Sequence, residues 1–170
     1  MLAMPQPVIA AVNGPAFGGG FSLTLAADLR LCSPSARFCA SFVKFGIAGC
    51  ELGVSYLLPK IVGAGAAFEM MLTGRVVAAE EAARTGLVLE VVPEDELLER
   101  ALELAHRIAA NSPFGVAMTK RLAWRNLGAT HFEGAMELEM HTQALLFRTE
   151  DHLEALRAFQ DRRAADFRYR

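Results

Sequence analysis

Positions 14–22 read Gly-Pro-Ala-Phe-Gly-Gly-Gly-Phe-Ser and lie between two apolar runs, Pro7–Val12 and Leu23–Leu31. Ordering three consecutive glycines costs conformational entropy, so a local need for bare backbone is implied. A dinucleotide fingerprint starting at Gly18 and Gly20 would require glycine at position 23, where Leu23 stands. A phosphate-binding loop would require lysine after the last glycine, where Phe21 stands. Two readings remain open. One is close packing of a helix on a strand, which selects small residues. The other is an anion hole, in which first-turn N–H groups without intrahelical partners meet a carboxyl or thioester oxygen. Each such donor stabilises an oxyanion by roughly 3 kcal/mol.

Glu51, in Gly49-Cys50-Glu51-Leu52-Gly53, is the only carboxylate between Asp28 and Glu69 and sits in apolar company. It suits general acid–base work; it equally suits a first-turn glutamate that stabilises its helix by under about 1 kcal/mol. Cys50 has no histidine near it in sequence and is expected to be a buried thiol. The four histidines, His106, His131, His141 and His152, fall in the C-terminal part without metal-ligand spacing, so no metal site is expected. Arg162 near the chain end is either a solvated arginine or a phosphate contact.

These residues need elements to hold them. Val8 to Val12 reads as a strand covered on both faces, and Gly18 to Ala27 as a buried helix entered through glycine. Asp28 to Cys32 alternates as a second strand, and Ala36 to Phe42 forms a third extended piece. Helices are predicted over 52–62, 66–72 and 78–85, then a strand over 87–92 stopped by Pro93. The period is helical from Glu94 onward: 94–110, a helix started by Asn111-Ser112-Pro113 and running to Leu127, 130–147 with Thr130 as its cap, and 151–163.

Composition bounds the classes. The chain has 170 residues, 53% of them apolar and without a membrane-spanning run, so one soluble globular protein is expected. A net charge of -2 with interleaved signs makes nucleic acid and anionic membranes poor partners. Three widely spaced cysteines and an N-terminus without a signal-peptide pattern predict reduced thiols and a cytoplasmic location.

The block Pro5-Gln6-Pro7-Val8-Ile9-Ala10-Ala11-Val12-Asn13-Gly14-Pro15-Ala16-Phe17-Gly18-Gly19-Gly20, followed by Asp28-Leu29-Arg30-Leu31, resembles the centre of the crotonase (enoyl-CoA hydratase/isomerase) superfamily. Leu57–Gly63, Met71–Arg75, Ala79–Ala82, Gly86–Val88 with Val91–Pro93, Ala105–Ser112 and Ala158–Arg163 agree in order and spacing. The resemblance runs over essentially the whole chain. It implies an α/β fold: a ββα spiral core over 1–93 with its N-terminal part missing, then a C-terminal helical trimerisation region over 94–170. It also implies an acyl-CoA thioester substrate, an enolate stabilised by the Gly19 N–H, and substrate contacts at Phe17, Gly18, Ser22, Phe42 and Arg162. Coenzyme A would be part of the substrate, with no separate cofactor, and the assembly a homotrimer or hexamer.

Two departures qualify this. The family's chain normally carries an N-terminal part that supplies early strands and the first oxyanion donor; its absence would leave the hole half built, core strands unpaired and the solubility poor. The two glutamates that flank a water in the hydratases correspond by spacing to Ser22 and Phe42, neither of which transfers a proton at neutral pH. Glu51 stands where isomerases and an aryl-CoA dehalogenase of the superfamily carry an acidic residue. One carboxylate fits double-bond isomerisation better than hydration, whereas family frequency favours hydration, and both remain. The rival is a non-catalytic acyl-CoA-binding or assembly subunit, or an inactive truncated fragment.

Overall fold

The computed structural model describes residues 1–169. The chain divides into two compact units: Met1–Leu2 with Val8–Glu103, and Ala3–Pro7 with Leu104 onward.

In the first unit the chain order is β1 (Ile9–Val12), β2 (Pro15–Phe17), α1 (Gly19–Leu25), β3 (Leu29–Cys32) and β4 (Arg37–Cys39). A 3₁₀ turn over Ser41–Phe45 leads to α2 (Val54–Val62), α3 (Ala64–Thr73), β5 (Val77–Ala78), α4 (Ala79–Arg84) and β6 (Glu90–Val91). Strands β1, β3 and β6 form a parallel sheet in that order, with Ile9 opposite Leu29 and Leu31 opposite Glu90. Strands β2 and β4 pair in parallel, and β5 adds antiparallel to β4. Phe21 and Leu25 of α1, Leu31, Phe38, Leu58 and Met70 are almost fully enclosed and form the core. Thus α1 buries one face, and that burial holds its first turn in place beside the end of β2.

The strands expected at 8–12 and 28–32 and the three short helices form, with ends shifted by a few residues. The piece expected over 36–42 splits into β4 and the 3₁₀ turn. The strand expected over 87–92 shortens to Glu90–Val91. Leu87 and Val88 are buried by loop packing instead, and the Leu87 carbonyl faces Arg30 rather than a ladder partner. Strands β2 and β5 have two or three residues each, too few for an alternating pattern to show.

Arg30 joins segments distant in sequence. Its Nε donates to the Leu87 carbonyl at 2.7 Å and its Nη1 to the Ala27 carbonyl at 2.6 Å. Burial lowers its pKa, against the attraction of Asp28, whose own carboxylate accepts from the Val8 N–H at 2.7 Å. Truncating Arg30 to alanine leaves two carbonyls without their cationic donor. The expected loss, measured by urea denaturation, is about 2–3 kcal/mol; a change below about 0.5 kcal/mol, the range of ordinary surface substitutions, would remove this role.

Helix α5 (Leu97–Ala109) carries the division between the units. The second unit continues with α6 (Pro113–Asn126), α7 (Phe132–Leu146) and α8 (Glu150–Asp161). Ser112 caps α6 by accepting from the Gly115 N–H, with Pro113 in the first helical position, as the sequence predicts. Thr130 does not cap α7; His131 occupies that position without a side-chain cap bond. Thr149 caps α8. Asp151, 3% exposed, accepts from the Ser112 hydroxyl and from the N–H groups of Arg168 and Tyr169, so one buried carboxylate ties the α6 cap to the tail. Among the described residues no helix is long and apolar enough to cross a membrane.

Candidate active site

Strand β2 ends at Phe17, and the chain turns into α1 through Gly18. Gly18 has φ 53° and ψ −119°, a combination reserved for glycine. Its N–H donates to the Cys39 carbonyl at 3.0 Å, which locks the turn onto β4. A side chain at Gly18 would also meet Ser41 Oγ at 3.4 Å and the Phe42 ring at 3.6 Å. Packing and backbone geometry therefore account for Gly18.

They do not account for the next two glycines. A Cβ at Gly20 would meet nothing within 4 Å, and one at Gly19 would meet only Leu52 Cδ1, at 4.0 Å. Gly19 is the first residue of α1, so its N–H has no intrahelical acceptor. Close packing of helix on strand thus explains one glycine of three. Open space over the other two leaves room for an incoming group.

Ser22, 2% exposed, lies one turn further on. Its hydroxyl reaches the Gly18 carbonyl at 3.2 Å and the Glu51 carbonyl at 3.4 Å. The Glu51 carbonyl also accepts from the Val54 N–H at the start of α2. A residue 29 positions away in the chain is thereby brought to the first turn of α1. Behind this loop, Gly49 lies so close to α3 that a Cβ there would stand 2.6 Å from the Met71 carbonyl oxygen.

The structure thus gathers Gly18, Gly19, Ser22, Phe42 and the backbone of Glu51. Phe42, 8% exposed, brings its ring carbons Cε1 and Cζ to Gly18 and acts as an apolar wall. Phe17 is 43% exposed at the end of β2. The Glu51 residue itself is exposed, not enclosed in apolar company, because the loop from Gly46 to Gly53 runs along the surface. Among the described residues no hydrogen bond or ion pair ties its carboxylate. Arg162 belongs to the second unit, where it closes α8 in a left-handed conformation and is exposed.

Cys50 corrects one expectation. It is exposed, whereas Cys32 and Cys39 are buried. Burial pushes the Cys32 thiol up to about 11, with Glu80 adding to the effect, and raises Cys39 as well. Cys50 was expected to be a buried thiol; its place on the surface loop that also carries Glu51 accounts for the difference. Leu52 was not singled out by sequence: nothing in its type marks it, and only the tertiary structure sets it over Gly19. Among the described residues no group of three or more His, Cys, Asp or Glu side chains is placed to hold a metal ion.

The family model described as enoyl-CoA hydratase/isomerase matches residues 1–170. A Mycobacterium tuberculosis relative named probable enoyl-CoA hydratase EchA12 is 48% identical over 163 residues, covering 95% of this chain and 57% of the relative. The crystal structure of an enoyl-CoA hydratase from Bacillus anthracis superposes with a TM-score of 0.96 at 36% identity, covering 99% of this chain and 65% of that one. A monofunctional enoyl CoA isomerase from M. smegmatis gives 0.74 at 50% identity, covering 79% and 63%. The chain therefore spans somewhat under two thirds of the length of each of these three proteins.

Proposed function

Because the chain belongs to the enoyl-CoA hydratase/isomerase family, we propose that it binds an acyl-CoA thioester at Gly19 and moves a proton through Glu51. The Gly19 N–H stabilises the enolate that forms when a proton leaves the carbon next to the thioester. Glu51 removes that proton and returns it elsewhere, which shifts a double bond. Hydration is the second outcome: water loses a proton to Glu51 and adds to the β carbon of a 2-enoyl thioester, giving an enolate at the same site that is then protonated at the α carbon. Phe17, Gly18, Ser22 and Phe42 shape the acyl side of the site, and Arg162 meets a phosphate of coenzyme A bound to a neighbouring subunit. Coenzyme A enters as part of the substrate, and amide-stabilised enolate chemistry calls for no resident cofactor.

What supports this reading is the Ser22 hydroxyl, which spans the Gly18 and Glu51 carbonyls and so holds the lone carboxylate's segment beside the first turn of α1. The test is Glu51→Gln in the protein as its native source makes it, assayed on 2-enoyl-CoA and 3-enoyl-CoA thioesters. Loss of a general acid–base group lowers turnover by about 10²–10⁴-fold, with acyl-CoA binding retained. A second reading, acyl-CoA binding without turnover, draws on Ser22 and Phe42 standing where two carboxylates would serve hydration. Binding by the unchanged protein without turnover of either substrate would establish that reading instead.

The helices of the second unit suit a homotrimer, or a hexamer of paired trimers. Phe132, Met136 and Met140 of α7 follow one another at four-residue spacing, 75%, 39% and 64% exposed, and form an apolar stripe of the kind that a partner chain covers. A cytoplasmic location agrees with three cysteines that are all unpaired.

A further inference from the structure

Leu52 is a leucine in a place that suits neither its backbone nor its side chain. Its φ is 50°, the left-handed region that a branched residue enters rarely and at a cost. Its side chain is 66% exposed, so burial in a core does not compensate. The conformation is imposed from both sides. The Glu51 carbonyl is held by the Ser22 hydroxyl and the Val54 N–H, and Gly53, with φ 89°, caps α2 and accepts from Tyr56 and Leu57. Glycine at position 52 would relieve the strain and remove the exposed apolar surface. Leucine there reaches Gly19: apart from Gly19's chain neighbours and the α1 backbone, its Cδ1 is the one atom within 4 Å of where a Gly19 side chain would begin.

We infer that Leu52 is a specificity-determining residue for the acyl group. Its isobutyl side chain walls the otherwise open face of Gly19 and sets how bulky a substituent can lie between that glycine and Glu51. The inference rests on the acyl-CoA reading of this site and adds the side chain that selects among acyl-CoA thioesters. Straight, short enoyl groups fit under the wall and cover part of its exposed surface. Groups with a ring or branch near the thioester collide with it. A residue that only shapes the loop would alter stability without altering preference among substrates.

The test compares the dissociation constants of crotonyl-CoA and cinnamoyl-CoA, read by calorimetry without need of turnover, in the native-length protein and in Leu52→Gly, Leu52→Ala and Leu52→Met. Glycine accepts the left-handed conformation without strain, so Leu52→Gly is expected to fold at least as well as the unchanged protein. Removal of the wall shifts the ratio toward cinnamoyl-CoA by about tenfold or more, the range seen when methylene-sized groups change in an apolar pocket. Leu52→Met, similar in volume, keeps the original ratio. Binding with the same ratio in all four proteins would overturn the role of Leu52 and leave the acyl-CoA reading standing. No acyl-CoA binding by the unchanged protein would overturn both.

Discussion

Replacing Gly19 with proline is expected to lower turnover of an enoyl-CoA thioester by about 10²–10³-fold, the usual effect of losing one oxyanion donor. The substitution removes one atom that matters, the amide hydrogen. Proline is well tolerated in the first helical position, where the N–H has no intrahelical acceptor, and Gly19 occupies that position in α1. An added Cβ has space: apart from the chain neighbours and the α1 backbone, it would meet only Leu52 Cδ1, at 4.0 Å. The fold therefore changes little, and circular dichroism and the melting curve serve as the control. Gly19→Ala, which keeps the N–H, separates loss of the donor from mere added bulk. If proline and alanine reduce kcat to the same extent, the N–H has no special part in the reaction. If proline abolishes the folded state, the alanine variant still reports whether added volume alone is harmful.

A structural effect as large as that at Arg30 is expected at Gly49, where alanine destabilises the protein by about 2–3 kcal/mol, as overpacking does in a tight interior. A Cβ at Gly49 would lie 2.6 Å from the Met71 carbonyl oxygen and 3.3 Å from its carbon. Both are backbone atoms of α3, whose Met70 and Met71 are buried, so the helix cannot yield and the loop must. That loop carries Glu51 and Leu52. A shift there also stretches the 3.4 Å bond between the Ser22 hydroxyl and the Glu51 carbonyl, so acyl-CoA turnover falls together with stability. Gly14→Ala is the matched control, because nothing lies within 4 Å of a Cβ at Gly14. Equal melting temperatures for the two variants would show that the approach of this loop to α3 is not tight in solution.

Much of this architecture is legible from residue order. Apolar runs at 8–12 and 28–32 announce two strands, glycine entry announces α1, and helical spacing from Glu94 onward announces α5 to α8. Ser112 with Pro113 marks a helix start that forms as read. Failures occur where local pattern and tertiary contact compete. Leu87 and Val88 look like strand residues, yet loop packing buries them while Arg30 takes the Leu87 carbonyl. Thr130 looks like a cap, but α7 begins two residues later. Cys50 and Glu51 sit among apolar residues in sequence, and their loop nevertheless lies on the surface.

By itself the sequence determined the family, through motifs in the family's order along the chain, and the residue types available for chemistry: one carboxylate between Asp28 and Glu69, and Ser22 and Phe42, which carry none. Such features depend only on residue identity and spacing. Tertiary structure alone decided why each glycine is there. Gly18 answers to backbone geometry and packing; Gly19 and Gly20 face open space. It also decided that Ser22 grips the Glu51 segment and that Leu52 overhangs Gly19. Those contacts join positions about thirty residues apart. Periodicity reports on neighbours within a few turns, so contacts across that distance become visible only once the strands and helices between them have packed.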